Sequence, residues 1–353
     1  MRQVFFCNYT VGEGYDAYAI CRPYGTKALL LGGEKALAAG GEALRRSLRG
    51  TDLTVEEAVY GTECTEAAIR RWGAYAGEIG ADMIFGMGGG KALDTAKGAA
   101  DAAGLPVFTF PTIAATCAGT TALSVLYREA GGFDRFAFFD RPARHCFLNL
   151  EILAGAPAEY LRAGMGETLA KCFECHFSAR GDRLAHSSAL GREISHLCYG
   201  PLLEHGVQAL SDCRAHRVTE ALEEAVLANI VSTGLVSLLV EEDYNGAAAH
   251  ALYYGLALLP GFEKTYLHGD AVAYGVLVQL AIDRDWDRAR ELKAFLRALG
   301  IPTTLREMEV PLDREALGVV LREMVNGPDM AHIPYPVTED MAYRAMEAVE
   351  TLA

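Results

Sequence analysis

The sequence predicts two halves of different class: an α/β half with a Rossmann-like parallel sheet covered by helices on both faces, then an all-α half. Three observations carry this. The chain has 353 residues, more than one ordinary core holds, since domains run to roughly 100–200 residues. Up to about residue 156, short β-rich runs alternate with helical patterns, the signature of parallel strands joined by crossover helices. Beyond it the β-rich runs thin out and long stretches keep the helical period.

In order, "KALLLGG" (27–33) reads as a strand, 34–50 as a helix, "TVEEAVY" (54–60) as a strand and 65–80 as a helix. "ADMIFGMGGG" (81–90) is a strand running into a glycine loop, 91–104 a helix and "LPVFTFPT" (105–112) a strand. Helical period then dominates 184–200, 218–240, 246–259, 270–299 and 312–325. Pro157 suits a first helical turn and follows the loop "AGA". The division is therefore set at 1–156 for the α/β domain and 157–353 for the helical one.

Composition excludes several classes. Hydrophobic residues at 51% and charged residues at 22% are globular values. A formal charge of −14 opposes a nucleic-acid partner, because phosphate binding needs a basic face. The longest apolar run, 225–240, is shorter than a bilayer span and carries Asn229, Ser232 and Thr233, so it reads as a buried helix and not a membrane segment. The opening "MRQVFFCNYTVGEGYD" does not read as an export signal, and nine scattered cysteines fit reduced thiols, which together predict a cytoplasmic protein. Cys172-x-x-Cys175-His176 is literally a haem-attachment pattern, and two cysteines three apart could also share a metal. On a helix in a reducing compartment, two half-buried thiols is the favoured reading.

Two stretches carry chemistry. In "GMGGGKALDTAK" (86–97), Gly88, Gly89 and Gly90 lie between a strand and a helix, where bare backbone lets a pyrophosphate approach and the helix N-terminus favours its charge. Lys91 adds a cation, although the spacing is neither a Walker A loop nor the usual dinucleotide fingerprint. At the first strand's end, where an NAD enzyme usually has an acid for the ribose 2′-hydroxyl, stand Gly32 and Gly33. Gly33 leaves room and Lys35 suits a 2′-phosphate, so NADP is predicted over NAD, with Glu34 arguing the other way. In the helical half, Glu167 of "AGMGETLAK", His250 and His268 offer one carboxylate and two imidazoles. Three such ligands leave a position open, as catalytic zinc or ferrous sites do. Glu167 is read as lying between a flexible Gly-Met-Gly turn and a helix, and Asp270 as an N-cap beside His268.

"GGGKALDTAK", "FPTIAATCAGTTALSVLY" (110–127), "GMGETLAK" and "AAAHALYYGLALLP" followed by "HGDAVAYGVLVQL" occur in that order. Together they resemble the iron-containing, or group III, alcohol dehydrogenase superfamily in its glycerol dehydrogenase-like branch, over nearly the whole chain. The resemblance implies a dehydroquinate synthase-like architecture, NADP or NAD, one divalent metal (zinc, iron, manganese or nickel), a small carbonyl or alcohol substrate and a homo-oligomer. By position it implies cofactor contacts at Gly90, Lys91, Asp94, Thr112, Ile113, Ala114, Ala115, Thr121, Leu123 and Tyr127, and Glu167, His250 and His268 as catalytic metal ligands. Two departures stand out. The family's metal carboxylate is normally aspartate, one methylene shorter than Glu167. Glycerol dehydrogenases carry an aspartate where this chain has Cys117, and losing that charge from a substrate pocket favours anions. The resulting expectation is a hydroxycarboxylate dehydrogenase acting on 2-oxo and 2-hydroxy acids. The alternatives are a glycerol or other polyol dehydrogenase, a catalytically degenerate dinucleotide-binding relative, and a cyclase of the dehydroquinate synthase type.

Overall fold

The computed structural model describes residues 4–353, so the first three residues of the stretch read for an export signal lie outside it. The chain forms two compact units, 1–158 with 211–226, and 159–210 with 227–353. A single cut near 157 therefore misses the return of 211–226 to the first unit. That segment is tied there by His216, whose Nδ1 lies 3.0 Å from the Ala154 carbonyl, and by Cys213, whose thiol reaches the carbonyls of Leu153, Ala154 and Ala156 at 3.7–3.9 Å. Contacts across some 60 positions leave no local pattern to read.

In the first unit the alternating segments become β2 (Lys27–Gly32), β3 (Thr54–Val59), β4 (Met83–Gly88) and β5 (Val107–Pro111), with helices Glu34–Ser47, Glu66–Glu78 and Gly90–Ala103 after the first three. Two strands not anticipated from sequence, β1 (Asn8–Gly12) and β8 (His145–Asn149), extend the sheet at one side. The order is β1-β8-β5-β4-β2-β3, all parallel. Phe85, Phe108, Phe110 and Phe147 are fully buried, with Phe110 and Phe147 stacked at 4.7 Å. Each such side chain contributes about 1.5–3 kcal/mol on burial. Because the strands are parallel, their C-terminal ends share one edge. From β2 the chain moves outward to β3 and then returns to β4 on the opposite side, so the direction of winding reverses between β2 and β4. Ligands of open α/β sheets bind at such a reversal. A separate antiparallel ribbon, β6 (Leu123–Tyr127) and β7 (Phe133–Phe138), follows the β5 loop.

The second unit is helical. Its first helix, Ala158–Ser178, runs unbroken through Gly164-Met165-Gly166, which is a helical segment and not the turn expected before Glu167. The predicted 270–299 stretch is two helices, His268–Ile282 and Trp286–Leu299, interrupted where Arg284 turns left-handed (φ 59°) and the Asp285 side chain accepts from Arg288 N. The last of the predicted stretches begins only at Gly318. Glu220–Leu239 is long and apolar enough to cross a membrane, yet 67% of its most apolar window is buried within the protein, which accounts for its composition. A π-turn at Ala228–Ser232 interrupts it.

Three glycines let the helices that matter approach closely. A Cβ on Gly269 would lie 1.8 Å from Ala163 O, one on Gly166 2.3 Å from Gly269 O, and one on Gly275 2.5 Å from Ala249 O. The helices Ala158–Ser178, Ala248–Ala257 and His268–Ile282 thus meet backbone to backbone, which brings Glu167, His250 and His268 together.

Candidate active site

The first unit places the glycine loop at the sheet's reversal point. Gly88 closes β4 with φ +144°, a conformation glycine adopts far more readily than other residues. Gly89 precedes the helix, where a Cβ would lie 2.7 Å from Ile113 Cδ1, and Gly90 opens it. Thr112 N donates to Gly88 O at 3.1 Å, joining this loop to the Thr112–Ala115 loop after β5. Exposed Lys91 lies in the first helical turn, its Nζ 2.7 Å from Glu63 Oε1 and 4.7 Å from the Tyr127 ring centre. Just after the adjoining β2, half-buried Gly33 precedes exposed Glu34 and Lys35, and among the described residues a Cβ at Gly33 would meet Tyr60 Cε1, at 3.7 Å. A cradle of bare backbone, first-turn amides and one cation fits a dinucleotide pyrophosphate.

Asp94, Thr121 and Leu123 have partners within the unit. Lys97 Nζ, 2% exposed as a side chain, lies 2.9 Å from Asp94 Oδ1 and donates to Thr121 Oγ1 at 3.0 Å and to Leu123 O, while Val125 N donates to Asp94 Oδ2 at 3.1 Å. Burial pushes the Asp94 carboxyl up and Lys97 opposes it. This node fastens the Gly90–Ala103 helix to β6. Cys117 lies half-buried in the β5 loop, with its carbonyl accepting from Thr120 N at 2.9 Å.

In the second unit the three expected ligands converge. Glu167 Oε1 lies 3.3 Å from His250 Nε2 and Oε2 lies 2.8 Å from His268 Nε2. One ligand atom from each residue falls within 4.8 Å of the others. His250 is buried and Glu167 nearly so, whereas the His268 side chain is 41% exposed, leaving one open side. Burial opposes ionisation of Glu167, but the two imidazoles outweigh it and hold the carboxyl well below its usual range. Burial likewise disfavours the His250 cation, yet Glu174 and Glu167 raise its pKa well above the ordinary value. Glu167 Oε2 is buried and makes no hydrogen bond of good geometry among the described residues. Two carboxylates, Glu167 and the fully buried Glu174, beside two imidazoles match a divalent cation in charge and donor type. The extra methylene of Glu167 does not prevent its carboxylate from reaching both rings.

Other expectations about these residues change. Asp270 does not cap its helix; its carboxylate is buried and accepts from Arg162 Nε at 3.1 Å and Nη2 at 2.5 Å, linking the helices that carry Glu167 and His268. Lys171, four positions after Glu167 on the same helix, donates to Asn245 O at 3.1 Å. Cys172 and Cys175 sit in an apolar cluster with Cys198, Val236 and Val240, and burial pushes their thiols up to about 11 and about 12, so they are inert core residues. Glu174, Arg162 and Glu63 were not singled out from sequence. Glu174 had a signal, because seven residues after Glu167 is two turns on the same helix face.

Residues 8–145 match the model of the iron-containing alcohol dehydrogenase family. Glycerol dehydrogenase of Escherichia coli O6:H1 is 34% identical over 92% of this chain and 89% of its own. Hydroxycarboxylate dehydrogenase A of Escherichia coli K12 is 36% identical over 82% and 80% respectively. The crystal structure of glycerol dehydrogenase from Schizosaccharomyces pombe superimposes with a TM-score of 0.88 at 26% identity, over all of this chain and 91% of that one. Sequence and fold agree, and the chain belongs to the iron-containing alcohol dehydrogenase family, in its glycerol dehydrogenase-like branch.

Proposed function

We propose that the chain interconverts small polyols, glycerol foremost, and their carbonyl products, using NADP or NAD and a divalent cation held by Glu167, His250 and His268. The convergence of those three side chains is the observation that carries the proposal. The glycerol dehydrogenase relatives weigh the substrate toward polyols, against the hydroxycarboxylate first expected. The 2-hydroxy-acid reading keeps two observations in its favour, a cysteine at 117 where polyol enzymes carry an aspartate and the hydroxycarboxylate dehydrogenase relative.

The cation, when bound, would supply Lewis-acid polarisation of a substrate oxygen, and the nicotinamide would supply or accept hydride. The chain's own residues have defined tasks. Gly88, Gly89 and Gly90 open the backbone to the pyrophosphate, and Lys91 and the Gly90–Ala103 helix N-terminus supply positive charge. Thr112, Ile113, Ala114 and Ala115 form the neighbouring loop, tied to the glycine loop by Thr112 N on Gly88 O, and the Asp94–Lys97–Thr121–Leu123 node holds the Gly90–Ala103 helix against β6. Gly33 and Lys35 favour a 2′-phosphate, hence NADP. Glu167 anchors both imidazoles, and the exposed side of His268 is the approach for substrate. We further read the protein as cytoplasmic and homo-oligomeric.

The test follows nicotinamide absorbance with NADP⁺ and NAD⁺ over glycerol, other vicinal diols and 2-hydroxy acids, and in reverse over dihydroxyacetone and 2-oxo acids. It is run on metal-depleted protein and after adding Zn²⁺, Fe²⁺, Mn²⁺ or Ni²⁺. Metal-restored polyol turnover supports the proposal, and turnover confined to 2-hydroxy acids replaces it with the second reading. Metal binding with no turnover on any substrate overturns both in favour of a non-catalytic binder. His250→Ala should lose metal and turnover together, and an active metal-free variant would refute the site.

A further inference from the structure

The helix that carries His250, Ala248–Ala257, begins without a capping side chain of its own, since its N-cap position is Ala247. Glu174, from the helix that carries Glu167, fills that role with one oxygen: Oε1 accepts from Ala247 N at 2.8 Å and His250 N at 2.9 Å. Its other oxygen does something a cap does not require. Oε2 lies 2.5 Å from His250 Nδ1, and the carboxylate is 0% exposed. A neutral imidazole that ligates through Nε2 carries its proton on Nδ1, and the Glu174 oxygen is placed to accept it there. The lone pair of the neutral ring then falls on Nε2, the nitrogen that points at Glu167 Oε1 from 3.3 Å.

We propose that Glu174 is a positioning residue that fixes His250 in the Nδ1–H tautomer and holds its Nε2 lone pair toward the ligand site. This rests on Glu167, His250 and His268 being the metal ligands. Outer partners of this kind change metal affinity by about 10–100-fold. Glutamine separates the two roles of Glu174 because it has one acceptor and one donor. With its oxygen on the backbone amides, its NH₂ faces Nδ1 and drives the ring proton onto Nε2, the nitrogen that must ligate. Flipped, its NH₂ opposes two backbone N–H groups.

The experiment titrates wild type, Glu174→Gln and Glu174→Asp with Zn²⁺ against a chromophoric chelator. It also records the visible spectrum of the Co²⁺-loaded proteins and the melting temperature of each without metal. The expected result is a 10–100-fold weaker Zn²⁺ affinity and a shifted Co²⁺ band for Glu174→Gln, with metal-free melting within about 2 °C of wild type. Glu174→Asp keeps the anionic acceptor but withdraws it by about 1.5 Å, and should also bind Zn²⁺ more weakly; it serves if the glutamine variant fails to fold. Wild-type affinity in either folded variant overturns the inference, including the case where only melting falls, which would make Glu174 a cap alone. Failure of the wild type to bind one Zn²⁺ would instead overturn the ligand site itself.

Discussion

Gly269→Ala should damage both stability and metal binding. The added Cβ would sit 1.8 Å from Ala163 O and 2.7 Å from Ala163 C, against a floor of 3.0 Å for real Cβ contacts, so the helices must part by roughly 1.2 Å. The obstacle is backbone and cannot swing away. Overpacking costs about 1–3 kcal/mol, and a rigid obstacle places this case near about 3 kcal/mol. For a domain-sized unit that is a melting-temperature loss of about 6–12 °C. The same two helices carry Glu167 and His268, whose side chains meet at 2.8 Å. A shift of about 1 Å in a working constellation costs on the order of 100-fold in activity. Thermal unfolding followed by circular dichroism, and Zn²⁺ competition, measure the two effects separately. Gly77→Ala is the control: it lies on an exposed helical position where the added Cβ meets no other part of the described structure within 4 Å beyond its own helix backbone and chain neighbours, and should stabilise by about 0.5–1 kcal/mol. A Gly269→Ala protein that melts within about 1 °C of wild type and binds Zn²⁺ as tightly would refute the claim that bare backbone sets this helix spacing.

Arg162→Ala strips the buried Asp270 carboxylate of its bidentate partner, and leaving such a charge uncompensated costs about 3–5 kcal/mol. Urea unfolding should show that loss, with partial recovery in Arg162→Ala/Asp270→Asn; a cost below about 1 kcal/mol would mean water already solvates Asp270. A pH effect is expected from His145, which lies between β1 and β5 with Nε2 3.2 Å from Thr10 Oγ1. Burial pushes its imidazole down from the usual 6.5 to about 4. The folded pKa is depressed, so the unfolded chain takes up the proton first as pH falls. The contribution of neutral His145 is whole above pH 6.5 and is lost between 6.5 and about 4, at up to about 1.4 kcal/mol per pH unit. His145→Gln should flatten the stability profile across that interval, and an unchanged slope would show that other groups set it.

The strands β2 to β5 and the helices after the first three of them are legible because the periods that form them, two residues and 3.6, are written into neighbouring positions. The glycine loop is legible for a related reason: close backbone approach before a helix needs consecutive residues without side chains. Glu167, His250 and His268 could be chosen as residues suited to a metal, but chemistry alone does not bring them together. Glu167 and His268 are 101 positions apart, and they meet because Gly166, Gly269 and Gly275 let three helices close to backbone contact. The tertiary structure also decided that Asp270 pairs with Arg162 instead of capping a helix, that Gly164–Gly166 stays helical, and that 211–226 rejoins the first unit. Each of these turns on which distant group satisfies a buried polar atom or fills a space at a glycine. Sequence spacing settled which faces the side chains occupy, and long-range packing settled what those faces meet.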